Sequence, residues 1–124
     1  MNSKVLLVLR IFFGLFLVFF GANKFGHWMQ PPGEMTADMQ NYFGALTSTK
    51  TITLVAIVEI VAGLSLLFNK YVPLLMIILM SVSINAVLYH VTLDPDNTLM
   101  AGLMLILNII MLYAYKHHYR ELLN

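Results

Sequence analysis

One carboxylate stands in the middle of an apolar run. The segment Ile52 to Phe68 reads ITLVAIVEIVAGLSLLF, and Glu59 is its only charge. A charged side chain at that depth of a bilayer costs roughly 2.5–3.5 kcal/mol unless it faces protein and is paired. The chain must therefore supply a partner, and Arg10 has the best depth for it. Counted at the helical rise, Glu59 lies about 13 Å from the Phe68 end of its segment and Arg10 about 7 Å beyond Val5. A long side chain bridges the difference, so an Arg10–Glu59 pair is expected. The alternative is a neutral Glu59 that donates a hydrogen bond to Asn108 or to a ligand, because desolvation disfavours the charged form. A carboxylate and a guanidinium so placed can hold a small polar headgroup, and the carboxylate can handle a proton.

Other polar residues share that interior. Lys24 and His90 fall at similar depth near the outer mouth. On spacing alone Lys24 reads as snorkelling to headgroups and His90 as interfacial. Asn85 shares a helix face with Ser81, and Ser83, Ala86 and His90 share another, about 140° round. Asn108 is mid-membrane, where asparagine often serves as glue between helices, worth about 0.6–2 kcal/mol. The ligand-binding candidates are thus Arg10, Glu59, Asn85, Asn108, Lys24 and His90. No catalytic residue is assigned, since HExxH, P-loop and GxSxG motifs are all absent. His27, His90, Asp94 and Asp96 could approach one another at the outer face, but nothing fixes a metal-ligand spacing. A haem would need two histidines at matched depth in the membrane. Neither metal nor haem is expected.

Such residues need elements to hold them, and composition says which. Of 124 residues, 60% are hydrophobic and 10% charged, against about half and a quarter in soluble domains. Helices are expected over about 5–24, 52–68, 71–90 and 99–116, each near the roughly 20 residues that cross a bilayer. In lipid the backbone must satisfy its own hydrogen bonds, so these are helices and not strands. Lys4 followed by an apolar run has the look of a signal peptide, but Arg10 interrupts it and no small-residue cleavage pattern follows. A retained first helix is expected. The net charge of +1 makes no case for nucleic acid as a partner. With no cysteine, disulfides, thiol relays and thiolate metal sites are excluded.

Basic residues orient the helices. Lys4, Arg10, Lys70, Lys116 and Arg120 gather on one side, and Lys24 and Lys50 on the other, which puts both termini in the cytoplasm. Asp94-Pro95-Asp96 then falls outside. Tyr71, Tyr113, Tyr115 and Tyr119 mark the inner interface, and Trp28, Tyr42 and Tyr89 the outer one. Asn69-Lys70 is so short that the helices it joins must form an antiparallel hairpin, with Pro73 harmless in the first turn of the second. The long first loop turns at Pro31-Pro32-Gly33. Beyond the turn Met35, Met39, Tyr42, Phe43 and Leu46 recur at helical spacing. A short amphipathic helix is expected there, either lying in the outer interface, the simpler reading, or folded over the bundle mouth. In the first helix Arg10, Gly14, Leu17, Gly21 and Lys24, at spacings of 4, 3, 4 and 3, form one stripe. Ala56, Glu59, Gly63 and Leu66 form another in the second, and small residues let the two backbones approach closely. No inverted repeat or broken helix points to a carrier.

At these residues the chain resembles the DoxX/DoxD-like family of small membrane proteins. The likeness rests on Arg10-x3-Gly14-x6-Gly21-x2-Lys24-Phe25, on Tyr42-Phe43-Gly44-Ala45-Leu46, on Glu59-x3-Gly63-Leu64-Ser65-Leu66-Leu67 and on His90. The resemblance implies a four-helix membrane bundle and a loose tie to redox chemistry. Some relatives are subunits of a thiosulfate:quinone oxidoreductase, others work with oxidative-stress or quinone-detoxification partners, and many have no known activity. No chelated cofactor is implied, and a chain without cysteine departs from any thiol scheme. Redox work would need a quinone, a partner subunit, or both.

The combined expectation is an all-α, integral membrane four-helix bundle, one transmembrane domain over 1–124, in a bacterial inner or plasma membrane. It binds a quinone or other small molecule in association with a membrane oxidoreductase or oxidative-stress system. The rival expectation is a structural or assembly subunit without a ligand, whose buried charges only fix helix register. A bundle this thin leaves room for a homo-oligomer.

Overall fold

A computed structural model describes residues 2–28 and 34–123. The Pro31-Pro32-Gly33 turn lies outside the described residues. Six helices follow in order: α1 (Ser3–Gly26), α2 (Ala37–Ser48), α3 (Thr51–Phe68), α4 (Val72–Leu93), α5 (Thr98–Ala114) and the short α6 (Arg120–Leu123). A 3-10 turn over Pro95–Asn97 leads into α5, and another over Lys116–Tyr119 leads out of it. No strand is present among the described residues. α1, α3, α4 and the run Pro95–Ala114 are long and apolar enough to cross a membrane. The outward surface agrees: Val5, Val8, Phe12, Leu15 and Phe19 form an exposed apolar stripe along α1. In water such a stripe would be a liability, whereas hydrocarbon is its natural solvent. The chain is a multi-pass membrane protein.

The local signals explain the helix ends. Asn2 caps α1 by accepting from the Lys4 N–H at 2.8 Å. Thr36 caps α2, its Oγ1 accepting from the Met39 N–H at 3.2 Å. α3 ends where Asn69 turns left-handed at φ 54, a conformation asparagine tolerates well. The Ser65 hydroxyl donates to Lys70 O at 2.5 Å and tightens the turn. Pro73 sits in the first turn of α4 as expected. Tyr115 O–H donates to Asn69 Oδ1 at 2.8 Å and Tyr119 O–H to Pro73 O at 2.7 Å, so the C-terminal turns are tied to the α3–α4 hairpin. Burial pushes the Tyr119 hydroxyl pKa up, which keeps it a neutral donor. The start of α1, the α3–α4 turn and the end of α5 line a common pocket, so they share one end of the bundle.

Two helix pairs make the body. α4 and α5 pack through Met76, Leu79, Met104, Leu107 and Met111, and Phe13, Leu17 and Leu66 join the same core from α1 and α3. α1 and α3 lie backbone to backbone. A Cβ at Gly63 would stand 2.7 Å from Gly14 O, and one at Gly21 3.0 Å from Ala56 O. The glycine stripe read from the sequence is therefore an interlock, and it fixes the register of α1 against α3.

Candidate functional site

That register decides which charge Glu59 meets. Gly14 lies beside Gly63 and Leu67, and Gly21 beside Ala56, Glu59 and Ile60. Lys24 stands three positions beyond Gly21, one turn away, whereas Arg10 is eleven positions from it, about 16 Å at the helical rise. The pair that forms is Lys24 Nζ with Glu59 Oε1, at 2.5 Å. The expected Arg10–Glu59 pair is not formed. Lys24 is not a residue that merely snorkels, although its side chain remains 30% exposed while that of Glu59 is 3% exposed. The depth count failed because it set Val5 level with Phe68, whereas α1 (24 residues) is longer than α3 (18 residues) and overhangs it. Arg10 instead reaches the last turn of α3. Its Nη1 donates to Leu66 O at 2.6 Å and to Leu67 O at 3.4 Å, satisfying carbonyls that a helix end leaves without an internal partner.

The Lys24–Glu59 pair lines a cavity of about 700 Å³ between α2, α3 and α4. Val55, Val58, Ile78 and Val82 give it apolar walls, and Asn85, His90 and Asp94 add polar groups along α4. Leu54 and Ile78 line it and are themselves exposed. Asn85 Nδ2 donates to Ser81 O at 2.8 Å, leaving its carbonyl oxygen to accept. His90 Nδ1 lies 3.7 Å from Asp94 Oδ2. Asp94 in turn accepts from Asn97 Nδ2 at 2.9 Å, so the α4–α5 turn is tied internally.

Four of the six candidates, Lys24, Glu59, Asn85 and His90, are brought to this one cavity. Two are not. Arg10 lines a separate cavity at the other end of the bundle. Asn108 is fully buried between α4 and α5. It accepts from Ser83 Oγ at 2.8 Å and donates to Met76 O at 3.0 Å. Its carboxamide is the interhelical glue that residue type alone allowed, and Glu59 is not its partner.

Three aromatic residues at the cavity carry, in the sequence, only the signature of interface markers or of an apolar stripe. Tyr42 stacks on Tyr89 with ring centroids 5.0 Å apart and planes 17° apart. Phe43 meets the same Tyr89 ring edge-on at 5.0 Å. Together they bring α2 down over the opening, which is the second of the two placements expected for the amphipathic helix. The stripe Met35, Met39, Tyr42, Phe43 and Leu46 carried the signal for a helix with one apolar face. It could not say that the face would meet Tyr89 and not lipid. Among the described residues no group of three His, Asp or Glu side chains could hold a metal ion.

The family model described as DoxX matches residues 5–92, the stretch that holds nearly all of α1, all of α2 and α3, nearly all of α4 and the four candidate residues that line the cavity. No curated protein and no solved structure matches the chain.

Proposed function

The chain belongs to the DoxX family, and on that premise we propose that it is a membrane subunit that binds a small molecule with a polar head and an apolar body. A quinone or quinone-like compound has that shape. One observation carries the reading: a buried carboxylate and its lysine partner face an apolar cavity of about 700 Å³. That volume is ordinary for a small-molecule site with few polar groups on apolar walls. The head lies at the Lys24–Glu59 end, where the ammonium donates and the carboxylate accepts or takes a proton. Asn85 and His90 offer further hydrogen bonds. The body lies against Val55, Val58 and Val82, and Tyr42 and Phe43 cover it. Exposed Leu54 and Ile78 in its lining suit a ligand that arrives from the bilayer. With no cysteine for a thiol relay, the role of this chain is to bind. Electron transfer belongs to a partner subunit of a membrane oxidoreductase or oxidative-stress system. The basic end of the bundle faces the cytoplasm, in the inner or plasma membrane of a bacterium.

The test is mass spectrometry of small molecules that co-purify in mild detergent, wild type against Glu59→Gln. A defined compound present in the wild type and absent from the folded variant is the expected result. Lipid alone in both would overturn the reading.

A second reading has its own support. The Lys24–Glu59 pair bridges α1 and α3 one turn from the Gly21 contact, where it can serve only to lock register in a structural or assembly subunit. The exchange Lys24→Glu with Glu59→Lys then keeps folding and function. Loss of function in a folded exchange variant favours ligand binding.

A further inference from the structure

The end of the bundle away from the Lys24–Glu59 pair holds a second cavity, of about 360 Å³. Ser3, Lys4 and Arg10 of α1, Asn69 of the α3–α4 turn and Tyr115 after α5 provide its polar lining. Two cations line it and no carboxylate does. The Arg10 guanidinium is held by the α3 carbonyls through Nη1 alone. Among the described residues, Nε and Nη2 make no hydrogen bond, so most of the planar fork is left to meet an oxyanion. Asn69 accepts the Tyr115 hydroxyl through Oδ1, which leaves its amide nitrogen to donate. The Ser3 hydroxyl adds another donor. Leu6 and Leu7 form the apolar wall, and Leu7 is half exposed on the lipid-facing surface. Exposed Tyr71 lies beside this end of the bundle, next to the Lys70 of the α3–α4 turn.

We propose that this cavity binds a phosphate-type anion: the headgroup of an anionic phospholipid, or a small phosphate solute of the same chemistry. Donors without acceptors among the charged groups select a negative ligand. The guanidinium fork fits two oxygens of a phosphate, and the ammonium of Lys4 closes over a third. Leu7 offers an acyl chain a path from the headgroup into the hydrocarbon. The site is independent of the α2–α4 cavity and stands or falls separately.

The full chain in mild detergent is mixed with phosphatidylglycerol or phosphatidylcholine, and retained lipid is read by native mass spectrometry. The wild type is expected to retain phosphatidylglycerol preferentially. Lys4→Ala and Arg10→Lys should each lower that preference about fivefold, the effect of one basic contact at an anionic surface. Lys50→Ala, exposed in the α2–α3 turn, should leave it unchanged. Arg10→Ala also removes the α3 cap, so the lysine variant and Lys4→Ala carry the test. A phosphatidylglycerol adduct that survives millimolar inorganic phosphate identifies the lipid headgroup as the source. An adduct stripped by phosphate, but not by chloride at equal ionic strength, identifies the small anion. Equal retention of the two lipids by the wild type, or a preference that Lys4→Ala and Arg10→Lys leave intact, overturns the proposal.

Discussion

Glu59 and Lys24 are unequal halves of their pair. The carboxylate is 3% exposed and the lysine side chain 30%, so the two losses have different consequences. Lys24→Met strands a buried charge, and breaking a buried pair in this way costs roughly 3–5 kcal/mol. Glu59→Gln removes the charge at nearly constant shape and leaves a lysine long enough to reach headgroups. Thermal unfolding in detergent should therefore find Lys24→Met much less stable than Glu59→Gln. The reverse order would mean that Glu59 is not held as a charged partner. Asn108 is a contrasting polar residue, spent wholly on packing. Asn108→Ala should cost about 1–2 kcal/mol, the range for a hydrogen bond between membrane helices. Ser83→Ala should then add little in that background, because the two share one hydrogen bond. Fully additive losses would show that the bond contributes nothing.

At the scale of elements, the glycine contacts between α1 and α3 govern where everything else lies. Gly63→Ala places a methyl against Gly14 O and the Val18 backbone N. Backbone cannot step aside as a side chain tip can, so the helices must part and the Lys24–Glu59 contact must stretch. Gly44 and Gly102 have open space at the same position, and alanine there should be neutral or stabilise by about 0.5–1 kcal/mol through helix propensity. Unfolding midpoints of the three variants separate a packing role from a propensity effect. A second prediction concerns α2. The chain has no cysteine, so a single Asn85→Cys is a clean probe of the cavity. Tyr42→Ala with Phe43→Ala should raise its maleimide labelling rate severalfold by removing the aromatic cover. An unchanged rate would show that α2 does not guard the opening.

Across the whole molecule, the described ends of the chain lie at one end of the bundle with Lys4, Arg10 and Lys70, and the Asp94–Asp96 turn lies at the other. The proposed orientation, from the excess of basic residues near short loops, puts that end in the cytoplasm. With an impermeant thiol reagent on intact cells, Asp96→Cys should label directly and Ser3→Cys only after permeabilisation. The opposite pattern would invert the bundle and move the Lys24–Glu59 cavity to the cytoplasmic side.

What was legible in the sequence follows from interactions that are local or periodic. Four apolar runs at bilayer length dictate four helices, since a continuous apolar segment of that length satisfies its own backbone in lipid only as a helix. The Asn69-Lys70 hairpin, the α2 helix and the glycine stripe are short-range patterns, and each is present. The need of Glu59 for a partner also came from the sequence, because it depends only on the cost of a charge in hydrocarbon. The identity of that partner did not. It depends on how far α1 slides along α3, and a slide of about two helical turns exchanges Arg10 for Lys24 without altering any helical pattern. The contacts of Gly14, Gly21 and Gly63 with backbone atoms of the facing helix set that slide, and only the packed structure contains them. The same holds for Tyr42 on Tyr89 and for Asn108 on Ser83: each residue has a legible type, but its neighbour is chosen by tertiary packing.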